Sequence, residues 1–69
     1  MNRIPVDSSN LASVGYDPES LVLEAEFKNG KAYQYFDVPQ GTYDELMSSS
    51  SKGSYMNNVI KKQFRCSPC

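Results

Sequence analysis

The order of periodicities in this chain predicts an α+β fold: a small antiparallel sheet of about three strands, followed by two helices packed on one of its faces (β-β-β-α-α). Two observations carry that expectation. Around the pair Asn29-Gly30, apolar and polar residues alternate at every second position, as they do in a half-buried sheet. After Pro39 the apolar residues recur every third or fourth position, as they do on a helix face. Strands gathered first and helices second imply segregated layers rather than alternating β-α units. With 69 residues the chain is read as a single domain over residues 1–65, with 66–69 as a flexible tail. A domain this small buries only about 60% of the surface its unfolded chain exposes, so self-association is a standing expectation.

Each element has its own signal. Ile4 and Val6 can form a short edge strand, with Pro5 limiting its pairing. Ser8-Ser9-Asn10 reads as the loop before a strand in which Val14 and Tyr16 alternate with Ser13 and Gly15. Asp17-Pro18-Glu19-Ser20 suits a turn, because proline presets φ there. Asn29-Gly30 suits a two-residue hairpin loop, since both residues tolerate positive φ. That loop sets Phe27 opposite Ala32, Ala25 opposite Gln34, Leu23 opposite Phe36 and Leu21 opposite Val38 on an apolar face. The other face then pairs Glu26 with Tyr33 and Glu24 with Tyr35. Pro39 can open a first helix, with Tyr43, Leu46 and Met47 on one side, and Gly41 keeps it short. A second helix follows the serines, with Met56, Ile60 and Phe64 inward and Asn57, Asn58, Lys61 and Lys62 opposite. The expected core is Leu21, Leu23, Phe27, Phe36, Val38, Leu46, Val59 and Ile60.

Composition narrows the function. Five Tyr and three Phe are too many aromatics for a disordered chain. A net charge of −1 speaks against a dedicated duplex binder, whose affinity comes mostly from neutralised phosphates. Yet Lys52, Lys61, Lys62 and Arg65 supply four of the seven basic residues, all toward the C-terminus. No apolar run approaches the ~20 residues of a membrane span, and the N-terminus lacks the apolar core of a signal peptide. A cytoplasmic protein without a membrane partner is expected. Histidine is absent and no nucleophile has an evident base, so no catalytic residue is named and a non-enzymatic protein is expected.

The binding candidates form two groups. Tyr33 and Tyr35, two apart, would share the outer sheet face, where paired aromatics can stack unpaired bases. Simple cross-strand covering explains them better, since Glu24 and Glu26 beside them would repel phosphate, although those carboxylates could accept hydrogen bonds from a base or ribose. In the second group Ser51 is placed to cap the second helix. Lys52, Gly53 and Ser54 could complete an anion site at that helix start, or Gly53 could serve only to let two segments approach. Lys61, Lys62 and Arg65 would add charge. Cys66 and Cys69 follow a helix instead of preceding one, the wrong placement for a redox pair. They also make only half of a tetrahedral zinc site, so no metal and no cofactor is expected.

Several separated motifs together resemble the KTSC domain, named for the C-terminus of some lysyl-tRNA synthetases. They are Ser8-Ser9, Gly15-Tyr16, the "F-x-N-G-x-x-Y-x-Y" run from Phe27 to Tyr35, Val38-Pro39, and the Ser-x-Gly-x-Tyr of Ser51, Gly53 and Tyr55, followed by Asn57 and Ile60. The likeness spans roughly residues 6–62. Gln40-Gly41 and the final "CSPC" depart from it. The resemblance implies a bacterial or phage domain that also occurs as short stand-alone proteins, and RNA binding by way of the synthetase attachment. The expected function is thus a small domain binding a nucleotide-like ligand, RNA or a small nucleotide, in the manner of a phage-type sequestering protein. The alternative is a homo-oligomeric assembly module that uses the tyrosine face.

Overall fold

A computed structural model describes residues 2–69. The fold is α+β, with a five-stranded antiparallel sheet in the sequential order β1-β2-β3-β4-β5. The strands are β1 (Ile4–Pro5), β2 (Leu11–Asp17), β3 (Val22–Phe27), β4 (Ala32–Tyr35) and β5 (Cys66–Pro68). Between β4 and β5 the chain forms two helices. The first is α1 (Gln40–Ser48). The second begins as α2 (Lys52–Tyr55), widens into a π-helical turn at Met56–Ile60 and closes as α3 (Lys61–Gln63).

The expected three strands correspond to β2, β3 and β4, and two short edges complete the sheet. β1 pairs with β2, as Ile4 and Val6 allowed. Cys66–Pro68, expected within the tail, instead lies along β4 with Tyr35 opposite Cys66 and Tyr33 opposite Pro68. Phe36 N–H donates to the Arg65 carbonyl (3.0 Å) and Cys69 N–H to the Ala32 carbonyl (2.9 Å), so this edge is hydrogen-bonded at both ends. The last strand escapes sequence reading because three residues with a proline show no periodicity.

The hairpin register is one residue away from expectation. Phe27 N–H donates to the Lys31 carbonyl and Gly30 N–H to the Phe27 carbonyl, so Lys28, Asn29 and Gly30 form a three-residue loop. Gly30 sits at φ 90°, the left-handed position that closes a type I turn with a bulge. Tyr35 therefore faces Leu23 and Tyr33 faces Ala25, while Glu24 meets Gln34 and Glu26 meets Ala32. A one-residue slip exchanges the two faces of a strand. Tyr33 and Tyr35 are accordingly on the core side: Tyr35 is 1% exposed and Tyr33 packs partly buried against the core.

The core gathers Leu11, Val14, Leu23, Ala25, Tyr35, Val38, Leu46, Met56 and Ile60. A bulge between Leu11 and Ser13 explains how Leu11 and Val14, three apart, are both buried. Of the expected core, Leu23, Val38, Leu46 and Ile60 are buried, Phe27, Phe36 and Val59 are half-buried and Leu21 is exposed. Tyr16 stacks on Tyr43 of α1 at 4.7 Å between ring centroids and donates to the Val38 carbonyl, fixing α1 over the sheet. Tyr55 donates to Glu45 (2.7 Å) and ties the second helix to the first. The opposite sheet face is a polar ladder. Arg3 contacts Glu24 at 2.6 Å, Gln34 donates to Glu24, and Ser13 donates to Glu26.

Candidate functional site

The Ser8–Asn10 loop, the tip of the β3–β4 hairpin and the polar side of the second helix meet at one end of the sheet. Ser8 organises the loop: its hydroxyl accepts from the amides of Asn10 (3.2 Å) and Leu11 (3.3 Å). The hairpin tip is held to it by the Lys28 amide donating to the Asn10 carbonyl at 2.9 Å. Gly53 brings the helix against the same loop. A Cβ at Gly53 would lie 3.2 Å from Asn10 Nδ2 and 3.3 Å from Ser8 Oγ.

Two neighbouring hollows result. The larger encloses about 310 Å³ and is lined by Ser9, Asn10, Phe27, Lys28, Asn29, Asn57 and Lys61. Its walls hold two ammonium groups, three side-chain amides, a hydroxyl and an aromatic ring, with no carboxylate. The π-helical turn helps to build it, since Met56 and Ile60 point into the core while Asn57 and Lys61 remain on the groove side. Lys61 Nζ stands 5.0 Å from the centroid of the Phe27 ring, within cation–π range. Phe27 in turn meets Tyr33 edge-on at 6.0 Å. The smaller hollow, about 240 Å³, is lined by Asp7, Ser8, Ser9, Ser50, Ser51 and Lys52. Ser9 belongs to both.

These positions redistribute the sequence candidates. Tyr33 and Tyr35 present no outer platform, because the hairpin register turns them toward the core. Ser51 occupies the N-cap position, yet its side chain makes no capping hydrogen bond. The Lys52 ammonium donates to the Ser49 carbonyl at 3.1 Å, just past the end of α1. Gly53 is buried against Ser8 and Asn10, so its small size serves close packing of the chain. Ser54 accepts from the Asn58 amide group. Lys62 is exposed outside both hollows, and Arg65 is exposed with Asp37 3.9 Å away. Lys61 alone of the sequence candidates lines the larger groove; Ser51 and Lys52 line the smaller.

Ser9, Asn10, Phe27, Lys28, Asn29 and Asn57 were not among the sequence candidates. Only Asn57 and Lys61 carried a readable signal, four apart on the polar side of a helix. The rest converge through tertiary packing. Among the described residues, no three His, Cys, Asp or Glu side chains are grouped to hold a metal. Cys66 and Cys69 are free, and their register against Tyr35 and Ala32 puts them on opposite faces of the sheet. They therefore cannot close a disulfide with each other in this strand. No helix among the described residues is long and apolar enough to cross a membrane.

Comparison with known proteins converges on one description. The family model for the KTSC domain matches residues 7–64. An uncharacterised protein of Stutzerimonas stutzeri is 43% identical over 63 residues, covering 91% of this chain and 89% of its own. A protein of Tsukamurella paurometabola is 38% identical over 61 residues, covering 88% and 91%. A lysine–tRNA ligase of a Nostoc species is 37% identical over 59 residues, which are 86% of this chain but 10% of the ligase. The crystal structure of a KTSC domain protein from Yersinia pestis superposes with a TM-score of 0.92 at 42% identity, covering 99% of this chain and 96% of that one.

Proposed function

Because the chain belongs to the KTSC domain family, and because the groove between the Ser8–Asn10 loop, the hairpin tip and the second helix is cationic with an aromatic wall, we propose that it is a small non-enzymatic domain that binds a nucleotide-like ligand at that groove. The observation that carries this reading is the lining: Lys28 and Lys61 without any carboxylate, beside Phe27 and three asparagines. Lysines supply charge-assisted hydrogen bonds to phosphate. Asparagine amides match the donor and acceptor edges of a base, and an aromatic ring offers it a stacking surface. The reading draws some support from the likeness to a segment of a Nostoc protein that is named for its action on tRNA.

A small nucleotide fits better than a long RNA. About 310 Å³ lies near the lower end of ligand pockets. Lys62 and Arg65 stand outside the groove, Lys52 in the neighbouring hollow is engaged with the Ser49 carbonyl, and the outer sheet face carries Glu24 and Glu26, an arrangement that suits one phosphate group better than the backbone of a strand. The alternative of an assembly module on a tyrosine face loses its surface, since Tyr35 is buried and Tyr33 lies on the core side.

Isothermal titration with adenosine 5′-monophosphate, and with a short single-stranded RNA, each at low and raised salt, tests the reading. Mononucleotide binding should weaken with salt, and Lys28→Glu should lower it by about tenfold or more, since a carboxylate replaces a phosphate donor. Undiminished binding by Lys28→Glu would contradict the assignment to this groove.

A further inference from the structure

We infer that Lys61 has two places in this groove: over the Phe27 ring when the groove is empty, and on the ligand's phosphate when it is filled. This rests on the nucleotide reading above and goes beyond it, because it specifies which ligands the groove accepts. The ammonium stands 5.0 Å from the ring centroid, covering a face on which a base could stack. Phe27 and Lys61 both line the groove, so ring and ammonium compete for the same space as an entering base. A ligand cannot use the ring without moving the lysine.

Among the described residues, no other charged or hydrogen-bonding partner holds the Lys61 ammonium. Its side chain is exposed. The neighbouring cation, Lys28, is at the hairpin tip and covers no ring. Displacing the Lys61 ammonium from the ring without giving it a new partner forfeits the cation–π attraction. A phosphate on the same molecule supplies that partner as a charge-assisted contact. The groove therefore favours ligands that join a flat ring to an anion and discriminates against either part alone. An uncharged nucleoside must displace Lys61 for no electrostatic return. Inorganic phosphate leaves the ring covered or draws Lys61 off it, with no base to take its place.

The consequence is a reversal of sign that a fixed lysine would not produce. Removing the ammonium uncovers the ring, so Lys61→Ala should raise adenosine affinity by about threefold. The same change should lower adenosine 5′-monophosphate affinity by about tenfold. Lys61→Gln, which keeps most of the stem and drops the charge, should show the same two directions, and its unchanged thermal melting would verify the fold. Lys28→Ala should weaken the nucleotide without any gain for the nucleoside. Titrations of the full chain and these variants with adenosine, adenosine 5′-monophosphate and inorganic phosphate read all of this. Opposite shifts for nucleoside and nucleotide are the expected result. A loss for both, or nucleotide binding indifferent to Lys61, would overturn the two-place inference while leaving the groove reading intact. Failure of the wild-type protein to bind adenosine 5′-monophosphate would overturn the groove reading, and this inference with it.

Discussion

Gly53 has no side chain, and the space a Cβ would fill is already taken by Ser8 and Asn10. Alanine there would gain about 1 kcal/mol of helix propensity, but overpacking typically costs about 1–3 kcal/mol. The overpacking term decides, because Asn10 Cβ, 3.3 Å from the new methyl, belongs to a loop pinned by the Ser8 hydroxyl. Gly53→Ala should lower stability by about 1 kcal/mol in urea unfolding and disturb the groove through Ser9 and Asn10. Tyr35 shows the same dependence on surroundings in its ionisation. Burial, and then the neighbouring Cys66 and Tyr33, push its hydroxyl up to about 12, above the roughly 10 of an unfolded chain. Between those values the unfolded chain releases the proton and the folded chain retains it. Stability that is complete below about pH 10 is therefore lost as pH rises. Tyr16, mainly through burial, and Tyr55, mainly through its bond to Glu45, are raised as well and act in the same direction. Tyr35→Phe should flatten the alkaline limb of a stability–pH profile; an identical limb would show that Tyr35 does not govern it.

At the scale of elements, the hairpin shows what sequence pattern can and cannot resolve. Asn29-Gly30 located the turn, but the same dipeptide serves a two-residue loop and a three-residue loop that starts at Lys28. The choice lay in the alternation of Ala32-Tyr33-Gln34-Tyr35. The two-residue loop would have put Gln34 in the core, whereas the observed register buries a tyrosine and leaves Gln34 to bond Glu24. The larger apolar surface, two tyrosine rings, sets the phase. The helices were legible because their apolar spacing extends over two to three turns, whereas β1 and β5 are too short to show any period. Both edge strands carry a proline. Val6 N–H donates inward to Ala12 and Cys69 N–H inward to Ala32, so alternation turns the Pro5 and Pro68 nitrogens outward, where neither can donate to an added strand. Replacing both with threonine should increase self-association in sedimentation velocity at matched concentration. An unchanged distribution would mean that the prolines do not guard the edges.

For the whole molecule, a net charge of −1 conceals an uneven arrangement. Carboxylates line the outer sheet face, where Arg3 pairs with Glu24 and Glu26, while Lys28 and Lys61 share a groove without acids. That separation was invisible in the sequence, because the groove draws on residues 9–10, 27–29, 57 and 61, which only the folded chain brings together. The family likeness was legible, since its motifs are local and keep their order. The most direct test of the groove assignment is a two-dimensional amide NMR titration of the labelled protein with adenosine 5′-monophosphate at low salt. Saturable shifts concentrated at Ser9–Asn10, Phe27–Asn29 and Asn57–Lys61, and weakened by added salt, are the predicted result. Shifts gathered on the Glu24–Gln34 face, or none at all, would contradict it.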